Sequence, residues 1–118
     1  MDFGWFEISL PVEDIAKSVA FYEALGFKQC DALERNVTLQ KGDCRLSLYQ
    51  GHLDPARPQL IFWQGDVDAI KSYVESRGVA IDKAVQDEKG KGVMLIDPDG
   101  HPLYFVNIAG VKRVEPRA

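Results

Sequence analysis

Asp14-Ile15-Ala16-Lys17-Ser18-Val19-Ala20-Phe21-Tyr22-Glu23-Ala24-Leu25-Gly26-Phe27 returns fifty-two residues later as Asp66-Val67-Asp68-Ala69-Ile70-Lys71-Ser72-Tyr73-Val74-Glu75-Ser76-Arg77-Gly78-Val79. Each copy opens on an aspartate that can accept a hydrogen bond from the first helical turn. Each closes on a glycine that can take the left-handed conformation ending a helix. Between these marks, Ile15, Val19, Tyr22 and Leu25, and then Val67, Ile70, Tyr73 and Val74, recur at helical spacing and predict buried stripes. A fixed internal offset predicts two copies of one supersecondary unit, with a cleft shared between them.

Working outward, residues 5–10 read as a strand closed by Pro11, and residues 27–31, 37–40 and 45–49 as three more, with Lys41-Gly42-Asp43 as a hairpin turn. The second copy repeats the order with residues 60–63, 81–85, 93–96 and 103–107. Asp97-Pro98-Asp99-Gly100 is a turn with proline at its second position. The polar, glycine-containing stretch 87–92 reads as a mobile loop. A single domain results: module one at about residues 3–50, a linker at 51–58, module two at about 59–108, and a solvated tail at 109–118.

At 118 residues, 46% of them hydrophobic and 27% charged, the chain can bury a core without staples. A net charge of −4 with scattered basic residues argues against nucleic acid as a partner. Cys30 and Cys44 fall in strands without metal-binding spacing and are expected as buried, reduced thiols. No stretch has the pattern of a signal peptide or a membrane span, so the expected location is cytoplasmic and no membrane partner is expected.

The string from Leu10 to Tyr22, the Leu25-Gly26-Phe27 that follows, Asp66-Val67-Asp68-Ala69, Arg77-Gly78-Val79 and Asp97-Pro98-Asp99-Gly100 together resemble the vicinal oxygen chelate superfamily. That group includes glyoxalase I, bleomycin-resistance proteins, fosfomycin-resistance enzymes and extradiol dioxygenases. The resemblance spans roughly residues 5–108. It implies an α+β fold of two βαβββ modules whose mixed sheet curls into an open cup, and it implies a homodimer. Metal-using members place ligands on the first and last strand of each module. Carried over, those corners are Glu7, Ser47, Gln59 and Tyr104, with Ser47 open to a slip of one residue. One carboxylate, an amide, a hydroxyl and a phenol are a poor set for a first-row dication. Neither His52 nor His101 stands at a corner, so no cofactor is expected and a divalent metal is the lesser alternative.

Strand alternation then assigns the cup face. Trp5, Glu7 and Ser9 share one side of the first strand, and Arg45, Ser47 and Tyr49 one side of the fourth. Gln59, Ile61 and Trp63 go with Tyr104 and Val106, leaving Phe6, Leu60, Phe62, Leu103 and Phe105 for the helix-facing core. Aromatic walls with single polar groups suit a small-molecule ligand held by Trp5, Glu7, Arg45, Ser47, Tyr49, Gln59, Trp63 and Tyr104. The aromatics equally suit plain packing. Glu7 is read in two ways, as an inert partner of Arg45 or as a general base with a perturbed carboxyl. The expected function is small-molecule binding of the bleomycin-resistance kind without the usual metal. The alternative is a metal-dependent lyase, isomerase or dioxygenase with an atypical ligand set that includes Glu7.

Overall fold

A computed structural model describes residues 1–117. Its elements run β1 (Gly4–Val12), α1 (Ile15–Ala24), β2 (Lys28–Leu33), β3 (Asn36–Lys41), β4 (Cys44–Gln50), β5 (Gln59–Gln64), α2 (Val67–Ser76), β6 (Lys83–Gln86), β7 (Gly90–Ile96) and β8 (Pro102–Ile108). This is the expected βαβββ order written twice, an α+β fold. No helix among the described residues is long and apolar enough to cross a membrane.

Residues divide between two units that do not follow the sequential modules. Of the described residues, one holds 7–58 and 113–117; the other holds 1–6 and 59–112. In the first, β2, β3 and β4 pair antiparallel in turn, and β4 pairs parallel with the Ile8–Val12 part of β1. In the second, β5 pairs parallel with β8, and β8, β7 and β6 follow antiparallel. Within each unit the strands are therefore paired in mixed directions.

The helix boundaries obey local chemistry. Asp14 Oδ1 accepts from Lys17 N at 3.1 Å, and Asp66 Oδ1 accepts from Ala69 N at 3.1 Å, so both aspartates are N-caps. Gly26 (φ 98°) and Gly78 (φ 80°) take the left-handed conformation that ends each helix. Asp66→Ala removes one of these caps. It is expected to cost about 1 kcal/mol of unfolding free energy in a urea titration.

The two cores form as the alternation requires. Val67, Ile70 and Val74 of α2 pack on Val93, Leu95 and Phe105, with Phe3, Phe62, Tyr73, Ile81 and Leu103 at the margin. In the other unit Val37, Leu39 and Leu48 meet Leu10, Val12, Ile15, Val19, Tyr22 and Phe27. No residue of α1 is fully buried, so this helix rests on its sheet more lightly than α2.

Several expectations are corrected. The first strand does not stop at Pro11 but continues to Val12, because Pro11 and Val12 stay in parallel register with Tyr49 and Gln50 of β4. Leu25 is exposed: it occupies the α1 C-cap, past the helical stripe. Leu60 and Phe6 are also exposed, at 39% each, lying outside the cluster that α2 covers. Cys44 is exposed and only Cys30 is buried; both are free thiols.

The stretch 87–92 is not a loop throughout. Its second half opens β7, with Gly90 opposite Ile108 and Gly92 opposite Val106. A side chain at Gly90 would stand 2.1 Å from the Asn107 carbonyl oxygen, so this glycine marks a close approach of two backbones. The tail is not free in solvent either, since Arg117 N donates to Gln29 O at 3.0 Å.

Candidate functional site

In the unit built on β1 to β4, register sets a polar stripe across three strands. Ser9 lies opposite Ser47, Ser47 opposite Thr38, and Gln40 opposite Arg45. Glu7, Ser9, Thr38, Arg45 and Ser47 are all buried, the reverse of the usual location for such groups. A change of register between Gln29 and Asp31 of β2 places Cys30 in the same neighbourhood, as bulges do when they re-aim a side chain.

Arg45 organises this stripe. Its Nε donates to Glu7 Oε2 at 2.7 Å, with the two side chains only 5% and 8% exposed. Nη1 donates to Gln40 Oε1 at 2.9 Å and reaches Cys30 Sγ at 3.5 Å, and Nη2 donates to the Val114 carbonyl at 2.9 Å. A guanidinium with every nitrogen engaged is the arrangement under which a buried pair offsets its desolvation. The geometry therefore favours the paired reading of Glu7 over the general-base reading: the Oε2 oxygen already holds a donor.

Ser47 is engaged as well. Its Oγ accepts from Asn36 Nδ2 at 2.9 Å and lies 3.2 Å from Thr38 Oγ1. Tyr49, half-buried at the end of the row, has its phenol pushed above the ordinary value. Burial is the main cause, opposed by a bond with Ser47 and reinforced by the Glu7 charge. Ser9 also acts to lower it, although Ser9 Oγ is buried and meets no partner at full hydrogen-bond geometry among the described residues.

In the other unit the corresponding face is aromatic. Trp5 and Trp63 stack with ring centroids 6.5 Å apart and planes at 17°. Tyr104 lies opposite Ile61, and Val106 opposite Trp63. Gln59 is buried, and Trp63 Nε1 is buried without a hydrogen-bond partner among the described residues. Register also answers the one-residue ambiguity at Ser47. Ser47 pairs with Ser9, two places after Glu7, as Tyr104 pairs with Ile61, two places after Gln59. The two closing-strand positions are equivalent.

The structure thus brings Glu7, Arg45, Ser47 and Tyr49 together in one unit, and Trp5 with Trp63 in the other. Sequence reasoning missed Asn36, Thr38, Gln40, Cys30 and Val114 as partners. Thr38 and Gln40 carried a signal, since they alternate on β3 in step with Ser47 and Arg45 on β4. The Val114 carbonyl carried none, because a backbone oxygen looks the same in every residue.

Glu7 and Ser47 do not fit a divalent cation. Glu7 Oε2 accepts from Arg45, and Ser47 Oγ accepts from Asn36. A positive guanidinium already sits on the single carboxylate. At an effective dielectric of about 20, two unit charges about 4 Å apart repel by about 4 kcal/mol, and a dication doubles that. Among the described residues no three His, Cys, Asp or Glu side chains group in a way that could hold a metal ion. His101 stands apart in the turn before β8, its Nδ1 2.8 Å from Asp97 Oδ2. Hydrogen bonds from the His101 backbone and ring hold the Asp97 carboxyl below its usual range.

Solved structures share this architecture. One described as NAD-dependent benzaldehyde dehydrogenase from Legionella pneumophila has a TM-score of 0.71 at 22% identity, covering 87% of this chain and 98% of that one. A glyoxalase/bleomycin resistance protein/dioxygenase superfamily member from Vibrio splendidus 12B01 has a TM-score of 0.61 at 18% identity, covering 86% and 97%. A hypothetical protein from Methanosarcina mazei has a TM-score of 0.60 at 18% identity, covering 95% and 98%. Identities this low speak for the fold alone. No curated protein matches. The model of the Glyoxalase/Bleomycin resistance protein/Dioxygenase superfamily matches residues 4–105, and the chain belongs to that superfamily.

Proposed function

We propose that the protein binds a small organic molecule without a metal ion. The observation that carries the metal-free part is the Arg45–Glu7 contact, in which a protein cation holds the one carboxylate among the corner residues. Binding is supported by the stacked Trp5 and Trp63 and by the buried Trp63 Nε1, a donor that a ligand oxygen would satisfy. A planar or aromatic ligand suits indole faces, which offer large area at low entropic cost.

The test is quenching of tryptophan emission by a panel of planar aromatic acids, amides and amines. Saturable quenching that Trp63→Phe weakens at least tenfold is expected, since the substitution deletes the Nε1 donor while keeping an aromatic ring. Flat titrations across the panel would remove the reading. Elemental analysis of protein purified without chelators is expected to find less than a tenth of an equivalent of Zn, Ni, Mn or Fe. A stoichiometric metal would restore the metal-dependent enzyme as the better account.

A further inference from the structure

Residues 113–117 lie across the Arg45 cluster without joining the fold as a helix or strand. Arg45 Nη2 donates to the Val114 carbonyl at 2.9 Å. Arg113 Nη2 reaches Gln40 Oε1 at 3.3 Å, sharing that oxygen with Arg45 Nη1. Arg117 N donates to Gln29 O at 3.0 Å, and Arg113 pairs with Glu115 within the segment. The contrast in burial is sharp. Arg45 and Cys30 beneath are 5% and 2% exposed, whereas the Val114 side chain above is 41% exposed. A segment held by a few hydrogen bonds at an exposed surface belongs to the part of a protein that opens first.

The same groups act on the Cys30 thiol. Burial raises its pKa most, Arg45 lowers it, Glu115 and Glu7 raise it, and Arg113 lowers it. The segment's own charges are therefore close enough to Cys30 to be felt there, and lifting the segment would change both the solvation and the access of that thiol.

We propose that residues 113–117 form a strap over the Glu7–Arg45 corner, which lifts to uncover Arg45 Nη2 for a carbonyl oxygen of an incoming small molecule. An uncharged carbonyl is the matching group for two reasons. It replaces a carbonyl, and Glu7 already neutralises Arg45, so an anion would meet the carboxylate's repulsion. The purpose of the strap rests on the ligand-binding role proposed above; its movement does not.

Cys30 reports the movement directly. In a Cys44→Ser background Cys30 is the one remaining thiol, and its alkylation by iodoacetamide can be followed by intact mass. A chain ending at Lys112 is expected to react at least tenfold faster than the full chain at equal helix and strand content by circular dichroism. Arg117→Pro in the full chain removes the N–H that bonds Gln29, together with the exposed Arg117 side chain, and is expected to speed the reaction at least twofold. A truncated, folded chain reacting within twofold of the full chain overturns the strap. If truncation unfolds the protein, Arg117→Pro decides by the same criterion, and loss of folding in both variants also overturns it. Tryptophan quenching in the same proteins separates the two ideas. Fast alkylation without any quenching retains the strap and removes the ligand reading, and quenching with unchanged alkylation does the reverse.

Discussion

Arg45→Ala is expected to lower the unfolding free energy by about 3–5 kcal/mol, because it leaves the buried Glu7 carboxylate without its guanidinium. The loss is larger than a surface charge deletion, which rarely exceeds about 0.5 kcal/mol. Two further consequences identify the cause. Gln40 Oε1 and the Val114 carbonyl lose the same donor group, so the damage spreads along β3 and residues 113–117. The paired replacement Glu7→Leu with Arg45→Met removes both charges together and is expected to recover most of the stability, since a hydrophobic substitute for a buried ion pair is often neutral. Urea titrations with unchanged slope measure all three chains. A loss below about 1 kcal/mol in Arg45→Ala would mean that water reaches the corner and screens the charge, as at exposed ion pairs.

Phe105→Ala is expected to cost about 3–5 kcal/mol. Phe105 is 1% exposed, with its ring 4.8 Å from Phe3 and 5.4 Å from Phe62 between centroids, beneath α2. Phe21→Ala, the same chemical deletion on α1 at a side chain 61% exposed, is expected to cost less than about 0.5 kcal/mol. The difference measures how burial, and not ring size, sets the cost of losing a phenyl group: Phe105 of β8 lies in the core and Phe21 of α1 faces outward. Equal losses in thermal or urea unfolding would show that Phe21 is packed as deeply as Phe105.

The readable parts of the fold share a physical property: each depends on neighbours in sequence. Asp14 and Asp66 cap because the amide each one bonds is three residues away. Gly26 and Gly78 end helices because a missing Cβ is a local matter. Alternation along β5 and β8 correctly sent Phe62, Leu103 and Phe105 to the helix side, because the pleat has a fixed period of two. The misreadings were of another kind. The β7 start at Gly90 depends on Asn107 and Ile108, whose approach no local signal announces. Leu25, Leu60 and Phe6 have core-like chemistry, but exposure is set by what happens to lie above a residue.

The site divides along the same line. From the sequence came a carboxylate at Glu7 that needed a partner, with Arg45 as one of two answers, together with an aromatic face bearing Trp5 and Trp63. The tertiary structure chose between the answers, by bringing two groups 38 residues apart to 2.7 Å. It also recruited the Val114 carbonyl, 69 residues from Arg45, to finish the guanidinium's hydrogen bonding. By itself, then, the sequence determined the duplicated βαβββ order, the helix ends and the faces of the strands, all products of backbone sterics and short-range bonding. Only the tertiary structure decided what neutralises Glu7 and what covers Arg45, because a buried charge takes whichever partner the folded chain delivers.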